Sequence, residues 1–532
     1  MREGGGPEAA DHLGDAARVA GWTALGRIAS FVVIILMAAR FGMGEGTDVF
    51  FLAAKIPMAL LLFAQTRLPG LVVSLYSEYR YHLGDREAGR FAHAAVNAAA
   101  LAGGALVLLA IPASRPIAHL IASGLEPAAQ ENVVFYFRLL MPIVIAGGIA
   151  GVLRGLLQAH RIFGPPAAEA LVVGLCLVAS ILAFGRTYHL GSVVLGYAVG
   201  SVARLILLLP GLVGKASWED RWTLFHPGVG RLGALLAPLA AMTAVFQITV
   251  LVGRALASRL PAGSVSALEY AERLAGVPVE LFVYALCAVL LPRLVDLRIR
   301  RSEEVLGAEV VRGMRLTLLL LLPCAAGFAF LARPLIRLVY QGEVFLPSDT
   351  ASAAAVLAAS GVVLVASVCH VGELAYYALQ KTWVVLLAGG AMFVVNLAAA
   401  VVLLRIWPHP AALPLAQGIG AFAALGVYLA FLARDCRPLD FRPLARSLVT
   451  GLLGTVWMSV FVYATLFLVE RLWPGEGKVE ALVHVAAPGT IGVLVYGLVL
   501  RAMRAEELPD LMGLLGRSRR QEDGGGSEGM SV

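Results

Sequence analysis

The sequence has little charge for its length. Asp, Glu, Lys and Arg make up 14% of the 532 residues, whereas soluble globular domains carry about 25%. Hydrophobic residues make up 59% of the chain, and its mean hydropathy is +0.82. This composition excludes a soluble globular protein and is typical of a chain that crosses a membrane many times.

Cysteine is also scarce, which argues against a disulfide scaffold and a metal centre. Cys176, Cys287, Cys324 and Cys369 lie in apolar runs, and Cys436 lies in an Arg-rich connection, without the spacing of a metal motif. We therefore predict no metal and no cofactor. The first 20 residues are polar and mixed in charge, so we expect no cleavable signal peptide. The net charge of +7 is more often a feature of membrane orientation than of nucleic-acid binding, and no nucleic-acid partner is predicted.

Apolar segments recur along most of the chain, and each is long enough to cross a bilayer, which takes about 20 residues. Fourteen of them can be marked, at 22–42, 49–76, 90–113, 131–157, 164–185, 190–213, 232–258, 265–292, 316–332, 351–379, 383–404, 411–433, 447–469 and 480–500. The predicted fold is an all-α polytopic membrane protein with about 14 transmembrane helices. An even number of spans places both termini on the same side.

The distribution of Lys and Arg predicts which side that is. Alternate connections carry nineteen and eight of these residues, and the richer set is expected in the cytoplasm. We therefore predict a multi-pass membrane protein with both termini cytoplasmic. The two longest connections, Gly214–Arg231 and Arg293–Arg315, should be cytoplasmic and carry amphipathic helices.

The first of these connections follows six spans and suggests a division of the chain into two lobes of six spans, with a final pair added. The predicted parts are a cytoplasmic N-terminal segment (1–21), an N-lobe (22–213), a cytoplasmic connection (214–231), a C-lobe (232–433), spans 13 and 14 (447–503) and a disordered cytoplasmic tail (504–532).

Charged residues interrupt the eighth apolar segment. Glu269, Glu272 and Arg273 lie between Pro261 and Pro278, and Glu280 follows in an apolar run. A charge at the centre of a membrane helix costs about 2.5–3.5 kcal/mol. Such residues are tolerated where they face a watery cavity or a partner, so they indicate a polar pathway. The alternative for Arg273 is an ion pair with Glu269 or Glu272.

Three residues near the start of the chain are further candidates for this pathway. Arg27 lies about one and a half turns inside span 1, and could equally extend to the cytoplasmic surface. Asp48 and Lys55 are seven residues apart and share one face of span 2. They could gate the outer side or pair across the lobes, although Asp48 could also cap its own helix.

The remaining candidates are scattered over later spans. Arg254 lies near the outer end of span 7, where it could line the polar pathway or make an interfacial or inter-lobe contact. Glu280 and Glu373 are intramembrane acids and candidate proton or cation sites. His370, one turn before Glu373, is more typical of a helix–helix hydrogen bond.

Several motifs occur in an order and spacing that resembles a known family. They are GRIASFVVIILMAARFGMGEGTDVFFLAAKIP (26–57), FRLLMP (137–142), LLQAHRIFGPP (156–166), APLAAMTAVFQITVLVGRALASRLPAGSVSALEYAERL (237–274), RPLIRLVYQGEVFLPSD (333–349), and YYALQKT (376–382) ahead of Asn396. Over about residues 22–433 the chain resembles the MurJ/MviN lipid II flippases, which belong to a superfamily with MATE exporters and Wzx flippases. Spans 13 and 14 match in position and number only.

The resemblance implies two six-helix lobes around a central cationic cavity, with a lipid-tail groove in spans 13 and 14. It implies a substrate that is a polyprenyl-pyrophosphate-linked saccharide, moved headgroup-first to the outer leaflet by alternating access. Membrane lipids and cell-wall synthesis proteins are the expected partners. Arg27, Asp48, Lys55, Arg254, Glu272 and Arg273 are the expected substrate-site residues, and Glu280, Glu373 and Asn396 the expected coupling residues.

The sequence also departs from the family pattern. Val33, Leu61 and Leu62 stand where the family usually has arginines, and Gly276 stands where it often has an acid. Gly253 and Ala400 occupy positions at which members thought to bind sodium have ligands, Ala400 lying four residues after Asn396. These departures predict a less cationic cavity and transport without sodium.

The leading hypothesis is therefore a non-enzymatic flippase for a lipid-linked cell-envelope precursor, with lipid II as the default cargo. One alternative keeps the mechanism but carries exopolysaccharide or O-antigen repeat units. A membrane glycan ligase or polymerase is disfavoured because the predicted outer connections are short. A transport-dead scaffold is the remaining alternative, since family arginines are missing.

Overall fold

A computed structural model describes residues 7–212, 223, 225–300, 302–475, 477–505 and 507, with the side chains of 7–17, 242 and 245 left aside. The described residues form seventeen α-helices: α1 (Pro7–Phe41), α2 (Glu45–Leu83), α3 (Asp85–Ile121), α4 (Pro127–Leu140), α5 (Ile143–Ala159), α6 (Gly164–Tyr188), α7 (Gly191–Leu208), α8 (Pro227–Ala257), α9 (Ser264–Pro278), α10 (Tyr284–Ile299), α11 (Glu303–Tyr340), α12 (Pro347–Ala366), α13 (Cys369–Ala378), α14 (Thr382–Ile406), α15 (Ala412–Asp435), α16 (Arg442–Leu472) and α17 (Lys478–Ala502).

The helices confirm the predicted number of membrane spans. Within the described residues, thirteen segments are long and apolar enough to cross a membrane, and α8 brings the number to fourteen if its two bent halves are counted as one span. The bend of 43° separates Pro227–Ala241 from Phe246–Ala257. Three spans are built from two helices each, α4 with α5, α9 with α10 and α12 with α13.

The chain forms two compact units. The first comprises Met1–Ala267 together with Tyr340–Asp349, and the second comprises Leu268–Val339 and Thr350–Val532. The first unit thus extends beyond the 214–231 connection and contains α8, which packs on α2 and α3.

Helix α2 is the centre of the first unit. It packs against α3, α4, α5 and α8, while α1 packs on α6 and α6 on α7. Leu75, Tyr76, Phe91 and Leu157 form part of a buried apolar cluster of this unit. The burial of one face of α2 explains why this segment remains helical despite two internal prolines, Pro57 and Pro69.

The second unit contains two helical hairpins, α14 with α15 and α16 with α17. Tyr376 of α13 stacks on Tyr428 of α15 in its main core, with ring centroids 5.8 Å apart. A smaller core joins the α16–α17 hairpin to α11, where the Tyr496 hydroxyl donates to the Leu319 carbonyl at 2.8 Å. Spans 13 and 14 are therefore attached to the unit through α11.

The structure differs from expectation at the connections. The Arg293–Arg315 segment contains no separate amphipathic helix in its described part, because α10 continues to Ile299 and α11 begins at Glu303. Most of the 214–231 connection, at 214–222 and 224, lies outside the described residues, and α8 already begins at Pro227. The same is true of the predicted tail at 506 and 508–532.

One described residue of that tail is packed against the second unit. Glu507 is buried, and its Oε1 accepts hydrogen bonds from the Arg315 guanidinium, from Nε at 2.7 Å, and from the Ser447 hydroxyl. The chain after α17 thus returns to α11 and α16 rather than leaving the protein at Ala502.

Candidate functional site

A buried carboxylate joins two helix starts in the first unit. Asp48 lies in the first turn of α2, is 2% exposed, and accepts from the Gly263 N–H through Oδ2 at 2.7 Å. Its Oδ1 accepts from both the N–H and the hydroxyl of Ser266, each at 2.7 Å. The first N–H groups of a helix have no partner within the helix, so Asp48 caps α9 rather than its own helix.

The start of α2 is satisfied by a different residue. The Thr47 hydroxyl accepts from the Gly44 N–H at 3.0 Å and donates to the Gly44 carbonyl at 2.9 Å. This local bond leaves Asp48 available for α9. The gating or inter-lobe role of Asp48 stays a prediction, and in this structure its carboxylate contacts the start of α9.

Other connections of the same unit pack together around this contact. Gly42 has a φ of +64° and lies so close to the Tyr340–Asp349 segment that a Cβ there would be 2.8 Å from the Val344 carbonyl oxygen. The Gly124 N–H donates to the Ser258 hydroxyl at 3.2 Å, and Arg259 Nε donates to the Ser123 hydroxyl at 3.2 Å. Connections 42–44, 122–126, 258–263 and 340–349 thus close one end of the unit.

The cationic candidates of the first unit have different environments. Arg27 on α1 is exposed, Lys55 on α2 is half-buried, and Arg254 near the end of α8 is buried. Each of the three takes part in a hydrogen bond, an ion pair or another electrostatic or ring contact. Arg27 therefore has the accessibility that a ligand-binding cation needs, whereas Arg254 has the burial expected of a structural contact.

The charged residues of α9 lie in the second unit. Arg273 is exposed and Glu272 is half-buried. Glu269 and Glu272 each take part in a hydrogen bond, an ion pair or another electrostatic or ring contact. An ion pair with one of these acids stays the alternative to a ligand-binding role for Arg273.

Glu280 lies in a single π-helical turn, Val279–Val283, between α9 and α10, and it is exposed. Such π-bulges interrupt the regular ladder of hydrogen bonds and are frequent at functional sites. The turn follows Pro278, which cannot donate a backbone hydrogen bond. The acid is thereby placed at the irregular point of an otherwise regular span.

The acid and amide of the later spans are half-buried. Glu373 accepts from the Tyr377 hydroxyl of its own helix at 2.9 Å. His370 Nδ1 lies 2.9 Å from the Ser367 carbonyl oxygen, and its ring meets that of Tyr284 edge-on. Asn396 on α14 lies where α15 approaches closely. A Cβ added to Gly420 of α15 would be 2.8 Å from the Cβ of Asn396. Asn396 therefore lies at a helix contact.

Sequence reasoning missed a buried charged cluster in the first unit. Glu169 on α6 accepts two hydrogen bonds from Arg154 on α5, at 2.9 and 2.8 Å, and lies 3.6 Å from Arg204 Nε on α7. Arg154 is one of the nineteen Lys and Arg residues that the sequence places in the richer set of connections. Glu169 and Arg204, inside apolar segments 164–185 and 190–213, were the signals that could have revealed the cluster.

The three residues that stand in place of family arginines differ in burial. Val33 is buried, and so is Leu61, which is 7% exposed and packs against Gly147. Leu62 is 57% exposed. Among the residues that the structure describes, no group of three His, Cys, Asp or Glu side chains is arranged to hold a metal ion.

Thirteen or fourteen apolar helices with charged residues inside several of them define a polytopic helical membrane protein. Solved structures support this class through the fold. The chain matches "Lipid II flippase MurJ, inward closed conformation" with a TM-score of 0.75 at 19% identity, covering 92% of this chain and 99% of that one. It matches an inward-facing MATE family transporter of the MOP superfamily with a TM-score of 0.65 at 15% identity, covering 76% and 94%.

Sequence comparisons identify the family. The model of the "Lipid II flippase MurJ" family matches residues 37–485. The lipid II flippase MurJ of Burkholderia cenocepacia is 28% identical over 357 residues, which are 65% of this chain and 69% of that protein. A probable lipid II flippase MurJ of Rhizobium meliloti is 28% identical over 402 residues, covering 73% and 74%. The chain belongs to the MurJ family.

Proposed function

We propose that this protein moves a polyprenyl-pyrophosphate-linked saccharide, lipid II by default, from the inner to the outer leaflet of the bacterial inner membrane, in peptidoglycan biosynthesis. Membership of the MurJ family over residues 37–485 supports this cargo. Transfer between leaflets makes and breaks no covalent bond, so the protein acts as a transporter rather than an enzyme.

The closure of one end by Asp48 is the observation that carries the transport mechanism. The Asp48 carboxylate accepts hydrogen bonds from the Gly263 and Ser266 N–H groups at 2.7 Å. The connections at this end are the ones poor in Lys and Arg. With both termini in the cytoplasm, as the nineteen-to-eight distribution of Lys and Arg supports, the closed end faces outward. Alternating access would then move spans 1–6 (22–213) against spans 7–12 (232–433).

The arginines suit the headgroup of this cargo. A guanidinium remains charged and presents paired N–H donors that match two phosphate oxygens. Arg27 and Arg273 are exposed, and both are assigned to the pyrophosphate. Lys55, Glu272 and Arg254 are proposed as further polar residues of the pathway. Glu280, Glu373 and Asn396 are assigned to coupling, and membrane lipids and cell-wall synthesis proteins are the proposed partners.

Membrane potential is the proposed driving force. An anionic headgroup that moves toward the positive outside gains about 2.3 kcal/mol per charge per 100 mV. Sodium binding needs several oxygen ligands, as hard cations generally do, and Gly253 and Ala400 provide no side-chain oxygen at two expected positions. We therefore expect transport to collapse with an uncoupler and to persist when sodium is replaced by potassium.

The experiment is complementation of two conditional strains, one lacking its own lipid II flippase and one lacking a flippase for exopolysaccharide or O-antigen units. Growth of the first strain, with lipid II appearing in the outer leaflet, is the expected result. Rescue of the second strain alone would favour the alternative cargo. Rescue of neither, with the protein present in the membrane, would contradict the proposal and favour a transport-dead scaffold.

A further inference from the structure

Helix α2 contains a break in its hydrogen-bond ladder, and another helix repairs it. Pro69 has no N–H, so it cannot bond the carbonyl of Gln65, four residues earlier. A carbonyl left without a partner inside a protein costs about 1–3 kcal/mol. In this structure the Gln65 carbonyl accepts a hydrogen bond from Arg154 Nη1 of α5 at 3.1 Å.

The guanidinium that makes this bond is held from its other edge. Arg154 Nε and Nη2 donate to the two oxygens of Glu169 at 2.9 and 2.8 Å, which is the bidentate geometry of a strong ion pair. Glu169 is 2% exposed, so water cannot readily replace it. Arg154 thus spans from a carboxylate on α6 to the backbone of α2.

A second arginine completes the cluster. Arg204 of α7 is 5% exposed, and its Nε lies 3.6 Å from Glu169 Oε2. With the Gln65 amide oriented so that its oxygen rather than its nitrogen faces Arg204, that oxygen lies 3.3 Å from Arg204 Nη2. Gln65 is therefore held twice, at its backbone by Arg154 and at its side chain by Arg204.

The backbones of α2 and α5 meet at the same level. A Cβ on Gly151 would be 2.6 Å from the Ala64 carbonyl oxygen, and a Cβ on Gly155 would be 2.8 Å from the Pro69 carbonyl oxygen. Contacts this close leave no room for water or a side chain between the helices. The guanidinium of Arg154, on the intervening turn of α5, is thereby aimed at the break in α2.

We propose that Arg154 is a positioning residue that fixes the course of α2 at Pro69, with Glu169 and Arg204 holding its guanidinium in place. A buried charge cluster is a poor source of stability, because apolar residues of similar volume often stabilise as well or better. A directional hydrogen bond to one backbone carbonyl is something that apolar packing cannot supply. The part of α2 before the break carries Lys55 and Asp48, so the direction of that part places both side chains.

The consequence for transport rests on the proposed function, whereas the repair of α2 does not. If the course of α2 is set by Arg154, Asp48 reaches α9 only while the bond to Gln65 is intact. The two statements can be measured separately, by hydrogen exchange on the purified protein and by transport in cells.

The test combines two kinds of variant. One removes the hydrogen bond from Arg154 to the Gln65 carbonyl, and the other gives that carbonyl a donor within α2. Arg154→Met together with Glu169→Gln removes the guanidinium and its counter-charge and leaves the net charge of the cluster unchanged. Pro69→Ala restores an N–H four residues after Gln65. Pro57→Ala is the matched control, because it changes the other internal proline of the same helix. All variants are made in the full chain and reconstituted in nanodiscs.

We expect the double variant to exchange backbone hydrogens of peptides covering 65–73 about tenfold faster than the parent protein, the effect of roughly one lost hydrogen bond to a charged donor. Adding Pro69→Ala should return exchange to the parent rate and restore complementation, whereas adding Pro57→Ala should restore neither. If the double variant fails to accumulate, Arg154→Lys, which keeps the charge but not the fork, should show an intermediate rate that Pro69→Ala again corrects.

Two results would overturn the proposal. One is a double variant whose exchange over 65–73 is unchanged, or is corrected equally by Pro57→Ala. The other is a double variant that loses protection but transports at the parent rate, because Arg154 would then stabilise α2 without positioning anything for transport. Failure of the unmodified protein to complement would count against the proposed cargo alone, since the exchange measurement involves no cargo.

Discussion

Asp48 and Ser266 are joined by two hydrogen bonds that end on the same atom. Asp48 Oδ1 accepts from the Ser266 N–H and from the Ser266 hydroxyl, each at 2.7 Å. Both residues are buried, so the pair can separate only if the first turns of α2 and α9 move apart. This contact is therefore suited to an end of the protein that opens and closes.

Asp48→Asn should weaken that closed end. An amide retains one acceptor oxygen but presents an NH₂ group to at least one N–H donor, a loss of about 1–3 kcal/mol for each buried bond left unmade. A cysteine at Met43 should react faster with an impermeant maleimide from outside in the Asp48→Asn variant than in the parent. Ser266→Ala, which removes the hydroxyl and keeps the backbone bond, should show a smaller increase. Equal labelling in all three proteins would contradict the gating role.

The proposed orientation of the chain predicts labelling from opposite sides. Glu304 and Ser348 are both exposed. Glu304 lies in the first turn of α11, and Ser348 lies beyond the other end of that helix. Cysteine at Glu304 should be protected in intact cells, and cysteine at Ser348 should be labelled. Burial raises the pKa of the native Cys436 thiol to about 11, so little reactive thiolate is present at neutral pH and background from this residue should be low. Labelling of both positions from outside would contradict cytoplasmic termini.

Arg273→Ala should abolish transport while the protein still accumulates in the membrane. The exposed guanidinium is assigned to pyrophosphate, and a methyl group removes both its charge and its paired donors. Arg273→Lys should recover part of the activity, because charge returns without the bidentate fork. Arg471→Ala, at an exposed arginine near the end of α16, is the matched control and should transport normally. Full activity of Arg273→Ala would show that Arg273 does not bind the cargo.

Arginine should be accepted at Leu62 and rejected at Leu61. Leu62 is exposed, whereas Leu61 packs against Gly147 of α5. A charge placed at the buried position should cost about 2.5–3.5 kcal/mol or more, which would appear as low accumulation and a lower melting temperature. If the family arginine acts from the position of Leu62, Leu62→Arg should improve complementation. Equal accumulation of the two variants would show that Leu61 is not packed as described.

Glu507→Gln should detach the segment that follows α17. Glu507 forms a buried ion pair with Arg315 at 2.6 Å and accepts from Ser447. Removing one partner of a buried pair leaves the other charge uncompensated, at a cost of about 3–5 kcal/mol. The melting temperature should fall and cleavage by a protease after Ala502 should accelerate. Ser447→Ala, which leaves the ion pair in place, should have a smaller effect, and an unchanged melting temperature for Glu507→Gln would argue against the docked segment.

Much of the architecture could be predicted from the sequence because membrane spans are determined locally. The segment predicted at 383–404 is α14, Thr382–Ile406, and the one at 480–500 is α17, Lys478–Ala502. A run of apolar residues must satisfy its own backbone hydrogen bonds inside the bilayer, and an α-helix does so without reference to the rest of the chain. The candidate residues Asp48 and Arg273 could be singled out for the related reason that a charge in such a run is costly wherever it lies.

The partners of those charges could not be predicted from the sequence. Asp48 binds Ser266, 218 residues away, and the carbonyl freed by Pro69 accepts from Arg154, 89 residues from Gln65. Hydropathy and spacing are the same whether Glu169 pairs with Arg154 or faces a cavity. Hydrogen bonds require atoms within about 3 Å in the right direction, and only the packing of one helix on another brings atoms of distant segments to that distance. The sequence by itself determined the spans and the presence of costly charges, and the tertiary structure decided which charges hold helices together and which remain exposed.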